Sequence, residues 1–410
     1  MRNWDSSDEA GQETCPADED QASAQEVAAH IGVPLRVASF ERQYWTEVFE
    51  PFLARYELGL TPNPDVDCNR SVKFGHLLRH CLGELGAHGI ATGHYCTVAH
   101  PGTQEHARMC AAVPATQQMD ARDSSLLLRG VDPVKDQSYF LSGVPAGALA
   151  HVSTPLGALT KPQVRAMARQ AALPNAERRD SYGICFVGKR KLPQWLPQYL
   201  PLTRGRFVCV ASGAQVGDTD GIELWTEGQG ARLGGMAHRY TVVGKSLPRG
   251  QVLVAPPSHP ACLSTGLIIP LTHLNAQVPP EWLLGPLQQG CPQHVLVRIR
   301  HRQEQLVPAI VQLKDAQHLR ESYPASWLKA LSSSSAAFGE GGGAAMPTEA
   351  GLHVQVTFQA PQPFVSPGQI AALYHTHLPV CLGGGPIVAR GVGEEAAHGL
   401  MGACEGVYAS

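Results

Sequence analysis

The sequence predicts an α/β domain with a parallel sheet, then a small linking domain, then a C-terminal β-barrel. Three observations carry this. Over residues 1–160, faces with helical spacing alternate with short apolar strands, the pattern of a parallel sheet covered by helices. Beyond Pro201, short β-like runs take over at 207–210, 240–243, 251–254, 295–300, 307–313 and 352–358, and with Gly and Pro turns between them they suit a small barrel or sandwich. The charged fraction of 16% is low, while Gly 42 and Pro 32 are high for 410 residues; this fits compact domains rich in turns and not a long helical assembly. The expected boundaries are 1–160, 161–245 and 246–410, with a low-complexity insertion near 332–350.

The first domain opens with acidic residues, Asp5, Asp8, Glu9, Glu13, Asp18, Glu19 and Asp20, unlike an Arg-rich transit peptide. Ala24, Val27, Ala28 and Ile31 mark a helix face closed by Gly32 and Pro34, and 35–40 reads as a short strand. Trp45, Val48, Phe49, Phe52, Leu53 and Tyr56 mark a second helix, which Pro51 bends or restarts. The stretch Thr61-Pro62-Asn63-Pro64-Asp65-Val66-Asp67-Cys68-Asn69-Arg70 should be a rigid extended turn, because its prolines fix φ and remove amide donors. Phe74, Leu77, Leu78, Cys81, Leu82 and Leu85 then form one helical face. Asp65 and Cys68 would stand at that helix's N-terminus, where unpaired amides and the dipole favour a thiolate. Residues 89–95 read as a strand ending in a Gly turn, the kind of end at which parallel sheets hold ligands.

Residues 100–125 are polar and irregular. Lys135, Asp136 and Gln137 then set three hydrogen-bonding side chains beside Tyr139 and Phe140. A helix over 161–172, with Val164, Met167 and Ala168 on one face, leads to Cys185. That thiol lies between Gly183 and Gly188 and is bracketed by basic residues, a setting that lowers a thiol pKa and lets a loop approach its target closely. In the barrel, Val295, Val297 and Ile299 alternate with Leu296, Arg298 and Arg300, the period of a strand with one wet face.

Plainer readings stay open on the residues alone: Cys68 as a small apolar filler, 135–137 as a solvated helix cap, and Cys185 as a strand cysteine in a basic loop. The net charge of -3 gives no global pull on nucleic acid, so any RNA surface must be local, from Arg178-Arg179, Lys189-Arg190-Lys191 or Arg298, Arg300 and Arg302. Eleven cysteines without a C-x-x-C pair argue for a reducing compartment and against a disulfide framework or zinc ribbon, and no metal site is expected. No apolar run approaches a membrane span.

Taken in order, the motifs resemble those of the tRNA-specific 2-thiouridylases: Met1-Arg2-Asn3-Trp4, residues 61–70, 91–95, 135–141 and 180–190, Gly228-Gln229 with Gly234-Gly235, Pro367-Gly368-Gln369, and Cys381 with Gly383-Gly384-Gly385. The stretch around Cys185 is closer to the mitochondrial branch, which implies a mitochondrial location, or a cytoplasmic one in a bacterium. The resemblance implies a truncated adenine-nucleotide-hydrolase-like sheet and ATP-dependent transfer of persulfide sulfur to C2 of the wobble uridine. ATP, with Mg2+, would adenylate the C2 oxygen. Cys185 would carry the persulfide, Cys68 would be the nucleophilic partner that ends in a disulfide with it, and Asp65 would serve as general acid/base. Asn63, Pro64 and Asp65 would touch the flipped-out base. Met1 and Gly93 would contact nucleotide, and His94, Lys135, Asp136, Gln137, Arg300, His301 and Gln369 would contact tRNA. The implied partners are tRNA and a donor or relay protein carrying a persulfide.

The chain also departs from that family. Members begin with a strand and a Ser-Gly-Gly-x-Asp-Ser loop that cradles the ATP phosphates; this chain starts after it, and no equivalent follows. Gly228-Gln229-Gly230 stands where Gly-Gln-Arg is usual. Two rivals are a non-catalytic or truncated tRNA-binding form without ATP binding, and a thiol-disulfide oxidoreductase, the latter disfavoured by the lack of a C-x-x-C motif.

Overall fold

The computed structural model describes residues 1–4, 16–113, 123–178, 184–188, 190–235, 239–315, 317 and 351–391. The acidic residues 5–15, part of the 180–190 motif and the expected insertion at 332–350 lie outside the described residues.

Helix Pro16–Ile31 is followed by a helical hairpin, 41–57 and 64–83. Pro51 lies inside the continuous helical run 41–57, just after the π-helical stretch Trp45–Phe49, where the helix changes from π to α spacing. The second arm corrects the expected extended turn. Asn63 is the N-cap, its side chain accepting from Asp65 N at 3.3 Å, and Pro64 takes the first helical position, which suits its fixed φ. The helix then runs on through a π-helical stretch, Cys68–Leu77, into Leu78–Gly83.

Four short strands complete the first domain: β1 (Ile90–Ala91), β2 (Cys96–Ala99), β3 (Leu126–Arg129) and β4 (Val152–Ser153). β1 and β4 pair in parallel, and β2 and β3 pair antiparallel. The expected strand at 35–40 amounts to one parallel bridge, Arg2 with Ser39. Leu35 and Val37 are 42% and 50% exposed, and no longer ladder is built there among the described residues. Within the expected irregular segment 100–125, Gln104–Ala111 is helical, capped by Thr103.

The linking sheet contains β5 (Gly205–Cys209), β6 (Gln215–Thr219), β7 (Gly230–Ala231), β8 (Tyr240–Ser246) and β9 (Gln251–Ala255) in the order β6-β5-β9-β8-β7. The β8–β9 hairpin spans the expected boundary at 245/246, so the sheet break falls after 255. An eight-stranded sheet follows. Its strands are β10 (Leu263–Pro270), β11 (Asn275–Ala276), β12 (Gln293–Arg298), β13 (Val307–Lys314), β14 (His353–Pro363), β15 (Ile370–Tyr374), β16 (Cys381–Pro386) and β17 (Ala389–Gly391). They run in the order β11-β16-β15-β12-β13-β14-β10-β17. Leu126 and Leu128 of β3 share the apolar core of this sheet with Leu267, Val297, Val356 and Leu373, so the first domain is docked on it.

Backbone proximity explains the glycine run in β16. A Cβ on Gly383, at φ +130, would fall 1.9 Å from Asn275 O, and one on Gly384 would fall 2.6 Å from Ser142 Oγ. Asn275 Nδ2 in turn donates to Ser142 O at 2.9 Å and Val144 O at 2.8 Å, tying the segment after Ser138–Leu141 to the barrel.

One buried carboxylate joins the domains. Asp136, 0% exposed, accepts from Gly130 N at 3.1 Å, Ser138 N at 3.1 Å, Arg129 Nε at 3.4 Å and Arg298 Nη1 at 3.1 Å. Arg298 therefore points inward at 4% exposure, which corrects its expected place on a wet, RNA-facing strand surface. Replacing one partner strands the other charge in the interior. Asp136→Ala should cost on the order of 3–5 kcal/mol and lower the thermal midpoint measurably by calorimetry; an unchanged midpoint would contradict this role.

Candidate active site

The site is built on an aromatic cluster. Phe186, 1% exposed, has its ring centroid 5.0 Å from that of Phe52, 5.1 Å from Phe49, 5.2 Å from Trp195 and 5.5 Å from Trp4. Cys68, 3% exposed, lies in the same cluster. Anchoring Phe186 sets the neighbouring Cys185 at the surface beside it, where the thiol is exposed and free. Negative charge on Cys185 raises the Cys68 pKa, and Asp65 acts on both thiols. The two cysteines and the carboxyl thus share one electrostatic neighbourhood.

Their charge states correct the expected thiolates. Cys68 lies one turn inside the helix, with its amide already bonded to Pro64 O, so the helix terminus gives it nothing. Burial pushes its thiol up to about 12, with Lys73 opposing. Asn3 Nδ2 donates to its Sγ at 3.8 Å. Cys185 is also raised: the protein packed around it desolvates the thiol, Asp65 adds to this, and Lys73 opposes. Two of the bracketing basic residues are engaged elsewhere. Arg178 pairs with Asp20 at 2.5 Å, and Arg190 donates to Phe186 O at 2.7 Å and Val187 O at 3.1 Å. Asp65 is raised by burial, the direction a general acid/base needs, again against Lys73.

The turn before Asp65 is held from a distance. Thr61 N donates to Pro367 O at 2.9 Å, and Gln369 Nε2 donates to Thr61 O at 2.8 Å. A Cβ on Gly368, at φ +95, would fall 2.5 Å from Thr61 N. Pro64 is buried, and the Asn63 side chain bonds Tyr139 as well as capping the helix.

The other expected contact residues fall into two groups. Lys135 and Arg302 bear on His301, whose ring lies 4.4 Å from Phe140, and Arg300 beside it is exposed. These make a local basic and aromatic surface. Asp136 is interior, Gln137 Oε1 accepts from Tyr95 N at 2.9 Å, and Gln369 is engaged with Thr61, so their polar atoms hold the fold. His94 Nδ1 meets Thr92 Oγ1 at 2.8 Å, and burial together with Lys73 lowers its pKa to about 3. It is therefore neutral near pH 7.

Gly93 and Met1 are exposed, and a Cβ on Gly93 would meet only Leu156 Cδ1 at 3.7 Å, leaving room for a ligand against the backbone. Among the described residues no Gly-rich loop joins a strand to a helix to cradle phosphates. Sequence reasoning missed Asn3, Lys73 and Phe186. Asn3 and Phe186 lie inside motifs already noted, whereas Lys73 becomes visible only once the π-helical spacing is known.

Residues 1–189 match the family model described as tRNA methyl transferase HUP domain, and 344–387 match an aminomethyltransferase beta-barrel domain. Mitochondrial tRNA-specific 2-thiouridylase 1 of Mus musculus is 37% identical over 318 residues, covering 76% of this chain and 75% of that protein. The Drosophila melanogaster protein of the same name is 37% identical over 312 residues, with the same coverage of 76% and 75%. The tRNA-specific 2-thiouridylase MnmA of Halorhodospira halophila is 36% identical over 395 residues, covering 94% of this chain and 85% of that protein.

Raised thiol pKa values have a direct signature. Between about pH 7 and 8 the iodoacetamide labelling rate of Cys185 should climb about tenfold, as the thiolate fraction does below its pKa, while buried Cys68 stays unlabelled. Peptide mass spectrometry reads both, and a Cys185 rate already flat at pH 7 would contradict the raised pKa.

Proposed function

Since the chain belongs to the tRNA-specific 2-thiouridylase family, we propose that it is a sulfurtransferase that places sulfur on C2 of the wobble uridine of tRNA. The observation that supports this is Cys68 within the Phe186 cluster, with Cys185 next to Phe186 in the chain and Asp65 close enough to act electrostatically on both thiols. When bound, with Met1 and Gly93 as the residues that would contact it, ATP with Mg2+ would supply activation of the C2 oxygen as its adenylate, pyrophosphate being the leaving group. The terminal persulfide sulfur on Cys185 attacks C2, and the C–O bond breaks with its electron pair leaving on AMP. Cys68 gives its proton to Asp65 and attacks Cys185 Sγ. The S–S bond breaks, its electron pair stays on the sulfur now bound to C2, and a Cys68–Cys185 disulfide forms. A thiol reductant resets the pair.

The basic and aromatic surface at Lys135, Arg300 and His301 fits the tRNA backbone and stacked bases. A persulfide-bearing donor or relay protein would load Cys185, whose exposure supports such access. The mouse and fly relatives support a mitochondrial setting; no described helix is long and apolar enough to cross a membrane. A second reading, tRNA binding without ATP turnover, is favoured by the lack of a phosphate cradle among the described residues.

Thiouridine formation on tRNA with ATP and a persulfide donor tests the first reading. Cys68→Ser and Cys185→Ser should each lose activity by on the order of a hundredfold or more, and activity equal to wild type in both would refute the assigned roles. ATP titration separates the readings: binding on the order of micromolar to millimolar supports catalysis, and tRNA binding with no nucleotide binding supports the second.

A further inference from the structure

Asp65, Cys68, Cys185 and His94 have one positive neighbour in common, Lys73. Its place follows from helix geometry. Lys73 comes five residues after Cys68 within the π-helical stretch Cys68–Leu77, whose i→i+5 spacing stacks such residues on one face. In an α-helix the same two residues would diverge by about 140°. The wide turn is evident two residue pairs on, where a Cβ on Gly75 would lie 3.2 Å from Arg70 O, five residues back. Val72 and Phe74, 0% and 3% exposed, pin the backbone on either side of the half-buried Lys73.

The surrounding charges make this lysine distinctive. Cys68 is faced by Asp65, Asp67, Cys185 and Lys73, and Cys185 by Asp65, Asp20 and Lys73. An anion on either sulfur is therefore opposed by carboxylates and favoured by Lys73. Among the described residues, four other cations of this region are committed: Arg55 and Arg70 to Asp67, Arg2 to Asp18 at 3.1 Å, and Arg178 to Asp20 at 2.5 Å. Among the described residues, Lys73 forms no ion pair with a carboxylate.

We propose that Lys73 is the positioning cation of sulfur transfer, holding first the anionic terminal sulfur of the Cys185 persulfide and then the Cys68 thiolate over the target base. This rests on the reading of the two cysteines as the transfer pair and adds the residue that makes anionic sulfur tolerable between them.

The test uses the full chain without tRNA or ATP, and records iodoacetamide labelling of Cys185 against pH for wild type, Lys73→Met and Lys73→Arg. Lys73→Met should slow labelling at pH 8 about tenfold and move the profile up by about one pH unit. Lys73→Arg, which keeps the charge, should stay within about twofold of wild type. If Lys73→Met fails to fold, Lys73→Gln takes its place. Superimposable profiles overturn the proposal, and so does equal slowing by Met and Arg, which would mark a packing role. The readout needs no sulfur transfer, so failure of the thiouridylase reading would show separately, as unimpaired activity in Cys185→Ser.

Discussion

The seat of Phe186 among Trp4, Phe49, Phe52 and Trp195 is the contact on which the reactive centre depends. Burying a phenylalanine is worth about 1.5–3 kcal/mol, and each well-placed aromatic pair adds about 0.5–1.5 kcal/mol, enough to fix a short loop that has little secondary structure of its own. The anchor lies one residue from the sulfur. It thus restrains the backbone of Cys185, a residue that stays partly exposed while its thiol is desolvated by the protein around it. The same rings bury Cys68 and seat Trp4, so the first residues of the chain, the helical hairpin and the Cys185 loop are parts of a single packing unit.

Polar residues around this unit divide their work between neighbours. Asp136 and Arg298 form an interior link between domains, while Lys135 and Arg300, one and two residues away, face outward. Gln369 spends its amide on Thr61, so the barrel helps to shape the turn that leads into Asp65 and Cys68. A short motif here is therefore a mixture of side chains that reach the surface and side chains that hold the fold beneath it.

Much of the fold was legible because hydrophobic period and turn residues are local signals. The helix faces around Trp45 and Phe74 and the strands at 207–210, 295–300 and 352–358 needed no tertiary information. The Pro62–Pro64 stretch was misjudged because proline at the first helical position starts a helix as readily as it blocks one. The linking sheet's boundary was misplaced because the turn between β8 and β9 has the composition of a linker. The site failed in a more instructive way. Sequence proximity to a helix start and to arginines suggests low thiol pKa values, yet the amide ahead of Cys68 is already bonded, its side chain is buried, and the arginines turn to carbonyls and to Asp20. Desolvation outweighs a dipole that fades within one turn. Lys73 escaped notice because α-helical spacing puts it on the wrong face.

The bond from Gln369 to Thr61 O spans 308 positions. A ribosome adding roughly 5–20 residues per second needs about 15–60 s to cover that distance. The nascent polypeptide therefore carries Cys68 through most of synthesis before the clasp that completes the neighbouring turn has emerged. Completion of the turn that leads into Asp65 and Cys68 is thereby timed to the end of translation, and a message cut short would yield a product whose thiol is present and whose setting is unfinished.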